Sequence, residues 1–245
     1  MPNSSKQSPP QFNHTDRIKL PSYIKKYQNI SPQSRSIYAG RFIVIEGIDG
    51  SGSSTLTEKL TERFACNGLS VVRTREPGGT LFAEKVRELI LNPDLTIDAV
   101  TETLMYAAAR ANHVAELIRP SLRQGRVVVS DRFIYSSIAY QGFARGIGSE
   151  LVSNINSCAI VGCRPEVVFI LDLPVQVAIK RCVKRDQPSD RIENEGESFM
   201  RRAAMGYKRI AESNDVPTVI LNACKPVDLL CKIVWAYLKD ITTTA

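Results

Sequence analysis

Residues 43–55 read IVIEGIDGSGSST, and the order of residue types in this stretch decides the fold class. Phe42, Ile43, Val44 and Ile45 form a short apolar run suited to a strand buried on both faces of a parallel sheet. Gly47, Gly50 and Gly52 follow. Lacking Cβ atoms, they let the backbone turn tightly and aim successive N–H groups at an anion, at the positive end of the next helix. Gly47, Gly52 and the hydroxyl of Ser54 fit the phosphate-loop pattern G-x-x-x-x-G-K-[ST], but the lysine position holds Ser53. The backbone cradle survives that replacement, whereas the point charge that tracks the outer phosphates is lost. Taken alone, the stretch leaves an ordinary strand-to-helix turn as the alternative.

Downstream, the spacing predicts a helix over 54–64 stopped by Gly68, and a strand over 69–74. A polar REPGG turn at 75–79 then leads into a helix over 82–91. Residues 97–118 form a long helix with two stripes. Val100, Leu104, Ala107, Ala111, Val114 and Ile118 keep core spacing, and Tyr106, Arg110 and His113 share another face. The second stripe reads either as a solvated face or as a ring for stacking with a donor for the edge of a planar base.

RVVVSD at 126–131 is a strand ending in a carboxylate. In open α/β sheets ligands gather at the carboxyl ends of strands, so Asp131 is expected beside the glycine-rich loop, able to hold Mg²⁺ through water. The next residue is Arg132 rather than a second acid, which favours a site receiving another anionic group over a water-activating ATPase; a plain salt bridge is the alternative. On the helix over 133–143, Ser137, Tyr140 and Gln141 share a face that can read a base edge and crowd a sugar. Further helices are expected over 149–159, 175–185 and 226–238, and strands over 167–173 and 216–221. The basic, proline-interrupted run RCVKRDQPSDR at 181–191 is either a charged loop or a lid that brings arginines to a transferring phosphoryl group.

Composition bounds the rest. A chain of 245 residues, 43% hydrophobic and 23% charged, fits one sizeable α/β domain. No apolar run reaches a membrane span and no secretory signal is visible, so a cytoplasmic location is expected. Cys66, Cys158, Cys163, Cys182, Cys224 and Cys231 lack metal-ligand spacing and read as reduced thiols. The net charge of +7 is concentrated at the front: residues 1–40 carry six basic residues against Asp16, leaving 26 basic and 24 acidic side chains beyond. A near-neutral body excludes a nucleic-acid-binding surface on charge grounds. Residues 1–40, rich in Ser, Pro, Gln and Asn, are expected to be a disordered basic tail, with organelle targeting as the second reading.

EGIDGSGSST, REPGGT, the YAAAR segment with Arg110, DRFIYSSIAYQG and the late DRIE, in this order, closely resemble the bacterial type of thymidylate kinase over residues 41–240. The resemblance implies a five-stranded parallel sheet flanked by helices, a domain over 41–245 with a lid near 181–193, and a homodimer. It implies phosphoryl transfer from Mg·ATP to dTMP. Carried over by position, Gly47, Ile48, Asp49, Gly50, Ser51, Gly52, Ser53, Ser54 and Thr55 would bind ATP, with Ser54 and Asp131 at Mg²⁺ and residues 223–225 bordering the adenine. Tyr106 would stack on thymine, Arg110 would bond its edge, Ser137 and Gln141 would assist, and Tyr140 would leave no room for a ribose 2′-hydroxyl. Arg132 would hold the acceptor phosphate near Arg75 and Glu76. Asp49 would position Mg²⁺ and the arginines, and Arg185 or Arg191 would supply the lid cation. Two readings stay open beside it: a nucleotide-binding regulator impaired at Ser53, and a kinase for a different nucleoside monophosphate. A GTPase is disfavoured, since no N-K-x-D motif occurs.

Overall fold

The computed structural model describes residues 25–27, 38–185, 188–213 and 216–242. Its centre is β2 (Arg41–Gly47), hydrophobic and buried from Phe42 to Ile45. It pairs in parallel with β4 (Val127–Asp131) on one side and β5 (Val167–Asp172) on the other, so both its edges are paired and it is buried from Phe42 to Gly47. Outside these lie β3 (Val71–Arg75) and β6 (Thr218–Asn222), completing the expected five parallel strands. A sixth, β1 (Lys25–Tyr27), adds antiparallel to β6, giving the order β1-β6-β5-β2-β4-β3. This strand belongs to the segment read as a tail; the remainder of that expectation, apart from residues 38–40, lies outside the described residues.

Register sets the site. Asp131 pairs with both Ile45 and Arg75, bringing the carboxyl ends of β2, β4 and β3 side by side. Helix α1 (Ser53–Cys66) follows β2 and buries Leu56, Leu60 and Phe64 at four-residue spacing. Phe64 meets Trp235 of α9 (Val227–Thr242) edge-on at 5.2 Å between centroids. On the other side run α2 (Leu81–Leu91), α3 (Ala99–His113) and α4 (Arg119–Arg123), the last two joined by a π-helical turn at Val114–Ile118. Helix α5 (Ile134–Ser137) likewise passes into a π-helical segment, Ile138–Ala144, which carries Tyr140 and Gln141; such turns recur at functional sites. Helices α6 (Ser149–Ile160), α7 (Val175–Val183) and α8 (Gly196–Ser213) complete the layers.

The two stripes of α3 depart from expectation. Ala107, Val114 and Ile118 are buried, but Val100 is 47% and Leu104 51% exposed. Arg110 and His113, which a solvated face would expose, are buried instead. The cause is tertiary: α3 packs between α2 and α6, and its polar stripe turns inward to an acidic partner on the β3–α2 turn.

Candidate active site

The glycine-rich loop closes on itself as the Ser51 N–H donates to the Ile48 carbonyl at 3.0 Å. Gly50 has φ 77°, and a Cβ there would lie 2.5 Å from the Ala178 carbonyl oxygen, so only glycine fits against α7. Gly52, at φ 93°, caps α1. Residues 49–55 wall one end of a cavity of about 690 Å³ whose rim includes Asp131, Arg132 and residues 223–227. Ser53 stands in this wall, 6% exposed, on the first turn of α1. Ser54 Oγ donates to Asp131 Oδ2 at 2.5 Å, while Asp131 Oδ1 is buried without a partner. A hydroxyl and a carboxylate oxygen still lacking a donor fit a hard, partly hydrated cation such as Mg²⁺. No cluster of three His, Cys, Asp or Glu among the described residues could hold a metal by protein ligands alone.

At the end of β4 the chain makes a sharp turn. Arg132 adopts φ 72°, the left-handed region that costs a side-chain-bearing residue about 1–2 kcal/mol. Its N–H donates to the Ile45 carbonyl at 2.8 Å, and its guanidinium donates to Asp49 Oδ1 at 2.8 Å. The Tyr140 hydroxyl donates to Asp49 Oδ2 at 2.7 Å, and the Tyr140 ring lies under the Arg132 guanidinium at 5.3 Å. Burial works against the charge on Arg132, but Tyr140, Asp49 and Tyr207 outweigh it and raise its pKa. Burial and the Asp49 charge together raise the Tyr140 pKa, so the phenol keeps its proton and remains a donor. Behind the turn, Glu46 accepts from the Phe133 N–H at 2.8 Å and from Ser136 Oγ at 2.6 Å.

A second, narrower cavity of about 70 Å³ is lined by Tyr106, Arg110, Tyr140 and Gln141. Asp49, Glu76, Arg87, Arg132 and Asp190 line both cavities, so the two adjoin at Arg132. Arg110, 2% exposed, donates Nε to Glu76 Oε2 at 2.6 Å, Nη2 to the Phe133 carbonyl at 2.9 Å, and Nη1 to Ser137 Oγ at 2.9 Å and to Asn156 Oδ1. Four of its five N–H groups are thereby engaged. His113 Nδ1 meets the other Glu76 oxygen at 2.9 Å and its Nε2 meets Thr74 Oγ1 at 2.7 Å. Gly79, at φ 85°, passes so close that a Cβ would lie 2.6 Å from His113 Nε2. Tyr106 has its pKa raised by burial and by the Glu102 charge, so its ring is neutral.

The expected lid arginines separate. Arg185 lines the larger cavity and pairs with Glu193 at 2.5 Å. Arg191 does not line it: its Nε donates to the Ile90 carbonyl at 2.7 Å and its Nη2 to Glu102 at 2.6 Å, docking it on α2 and α3. Residues 186 and 187 of the expected lid lie outside the described residues. Arg75 lines the larger cavity while paired to Glu84 at 2.9 Å.

Two cations escaped the sequence reading. Arg181 reaches the carbonyls of Ala223 at 3.1 Å and Gly50 at 3.4 Å, joining the glycine-rich loop to the loop after β6. It stood in sight as the first residue of the basic run. Arg87, bonded to the Pro77 carbonyl at 3.0 Å, lines both cavities, and burial followed by repulsion from Arg75 lowers its pKa. On sequence it is one more charge on an amphipathic helix, and no local signal distinguishes it.

A sequence profile of the family described as Thymidylate kinase matches residues 45–233. Among similar curated proteins, the thymidylate kinase of Halothermothrix orenii is 47% identical over 175 residues, covering 71% of this chain and 84% of that protein. That of Thermosipho melanesiensis is 43% identical over 187 residues, covering 76% and 92%. That of Clostridium novyi is 39% identical over 202 residues, covering 82% and 98%.

Proposed function

The chain belongs to the thymidylate kinase family, and from that premise we propose that it transfers the γ-phosphoryl group of ATP to the phosphate of dTMP, giving ADP and dTDP. The observation that carries this reading is the junction of the two cavities at Arg132, where a donor and an acceptor phosphate would meet. An acceptor phosphate oxygen attacks the γ-phosphorus, the bond to the β–γ bridging oxygen breaks, and its electrons leave with ADP. Such a reaction asks for positioning and charge compensation more than for covalent chemistry.

On the donor side, residues 47–55 wrap the phosphates, Arg181 and residues 223–225 border the adenine, and Arg185 supplies a cation toward the transferred group. Ser54 and Asp131 would hold Mg²⁺ together with water, and that ion would neutralise charge on the β- and γ-phosphates. On the acceptor side, Tyr106 stacks on the base and the remaining N–H of Arg110 meets its edge. Ser137, already accepting from Arg110, acts through that guanidinium, and Gln141 faces the base. Tyr140 crowds the sugar, and Asp49 aims Arg132 at the acceptor phosphate. Glu76 serves by fixing Arg110, and Arg75 borders the phosphates.

A second copy of this chain is the partner proposed for α2, α3 and α6, where Leu81, Phe82, Leu89, Val100, Leu104 and Leu151 are exposed. That assignment accounts for Val100 and Leu104, the part of the α3 apolar stripe that the single chain leaves outside. Cytoplasm is the proposed location, with residues 1–40 as a candidate targeting extension; among the described residues no helix is long and apolar enough to cross a membrane. The intact acceptor cavity weighs against a silent regulator. Chromatographic identification of the product from Mg·ATP and dTMP tests the reading. Formation of dTDP in step with ADP supports it, and ATP hydrolysis without dTDP refutes it.

A further inference from the structure

Glu102 is fully buried on α3 and takes no direct part in lining either cavity, yet it gathers more cationic and amide donors than any carboxylate of the site described above. Its Oε1 accepts from Gln141 Nε2 at 2.8 Å and from Arg145 Nε at 3.2 Å. Its Oε2 accepts from Arg145 Nη2 at 2.9 Å and from Arg191 Nη2 at 2.6 Å. Two guanidiniums against one carboxylate compensate the buried charge, and a carboxylate so paired offers acceptors only.

That chemistry decides which way the Gln141 amide points. An amide facing an acceptor-only group must present its NH₂, so Gln141 Nε2 is committed to Glu102 and Oε1 is turned to the other side. Gln141 lines the acceptor cavity, and its Oε1 is buried without a hydrogen-bond partner. A buried acceptor lacking a donor carries a desolvation cost that a ligand donor would relieve. Thymine and uracil carry an N–H at N3, whereas cytosine presents a lone pair there.

We propose that Glu102 is a positioning residue for base selection: by holding the Gln141 amide with its oxygen toward the cavity, it makes the site accept an imide N–H and reject cytosine. The inference rests on the acceptor-site reading above and adds to it. Arg191 then has a task different from that of a phosphate-binding lid cation, because it fixes Glu102 from the far side. The arrangement ties the end of the basic segment to the base subsite through one buried carboxylate.

The test is calorimetric binding of dTMP and dCMP, without ATP, to the full chain, Glu102→Gln, Gln141→Leu and the double variant. A glutamine at 102 can donate as well as accept, so the Gln141 amide is free to turn. The expected result is that the dTMP-to-dCMP affinity ratio falls by about tenfold or more in Glu102→Gln, the worth of one neutral hydrogen bond. In the Gln141→Leu background the same substitution is expected to leave the ratio unchanged, because the coupling runs through that amide. A general loss of packing would weaken both ligands alike and leave the ratio in place. An unchanged ratio in Glu102→Gln, with the unsubstituted protein still preferring dTMP, overturns this inference alone. Absence of any dTMP preference in the unsubstituted protein overturns it together with the functional reading.

Discussion

Arg132 and Asp49, 83 residues apart, meet at 2.8 Å, so the end of β4 and the glycine-rich loop are tied by one charge-assisted hydrogen bond. Tyr140 completes the clamp by donating to the other Asp49 oxygen while its ring supports the guanidinium. Preorganisation of this kind lets a cation sit where charge develops without reorganising during the reaction. Asp49→Asn is therefore expected to lower kcat by about 10²-fold with a smaller change in the ATP KM. Steady-state kinetics in both substrates checks it; an unchanged kcat means that Asp49 does not aim Arg132.

Arg110 and Glu76 form a buried ion pair, their side chains 1% and 3% exposed. Removing the cation alone strands a carboxylate beside His113. Arg110→Ala is expected to cost about 3–5 kcal/mol of folding stability by denaturant titration, in addition to lost dTMP binding. A loss below about 1 kcal/mol would agree instead with a solvated stripe.

The two arginines of the basic segment are predicted to fail differently. Arg185→Ala, at an exposed side chain on the larger cavity, should lower kcat on the order of 10²-fold and leave Tm nearly in place. Arg191→Ala, which removes one of the two guanidiniums that compensate the buried Glu102 and the bond to the Ile90 carbonyl, should lower Tm. The reverse assignment of the two effects would move the catalytic cation to Arg191.

Burial raises the pKa of Glu46, against hydrogen bonds from Ser136, Phe133 and Tyr207 and the charge of Arg132 that lower it. A carboxyl whose folded pKa exceeds its unfolded value binds its proton more tightly in the native state. Its contribution is thus complete below the ordinary value of 4.5 and is lost as pH rises through the folded pKa. Glu46→Gln should flatten that decline in unfolding free energy measured from pH 4 to 8. A profile identical to that of the unsubstituted protein would contradict the assignment.

Legibility in the sequence followed how local each signal was. The glycine-rich loop, Asp131 and Arg132 were readable because a strand, its carboxyl end and the following turn are contiguous in the chain, and parallel pairing then aligns those ends. The face carrying Tyr106 and Arg110 was readable as a stripe, but its burial depended on Glu76, 34 residues earlier. Val100 and Leu104 kept core periodicity yet face outward, since periodicity gives a stripe and not its partner. Arg191 could not be separated from Arg185 within one basic run, because the difference lies in Glu102 and Ile90, about 90–100 residues away. The edge strand Lys25–Tyr27 was hidden in a polar, proline-containing segment whose composition carries no strand period.

Ser53 stands in the wall of the larger cavity, at the position where the phosphate-loop pattern has lysine. The decisive measurement is the initial rate of ADP formation from Mg·ATP with dTMP, dUMP, dCMP or thymidine, for the unsubstituted protein and Ser53→Lys. Turnover selective for dTMP is expected in both, faster on the order of 10²-fold in the lysine variant as a missing charge partner is restored. Absence of dTMP-dependent ADP formation in both proteins would contradict the kinase reading.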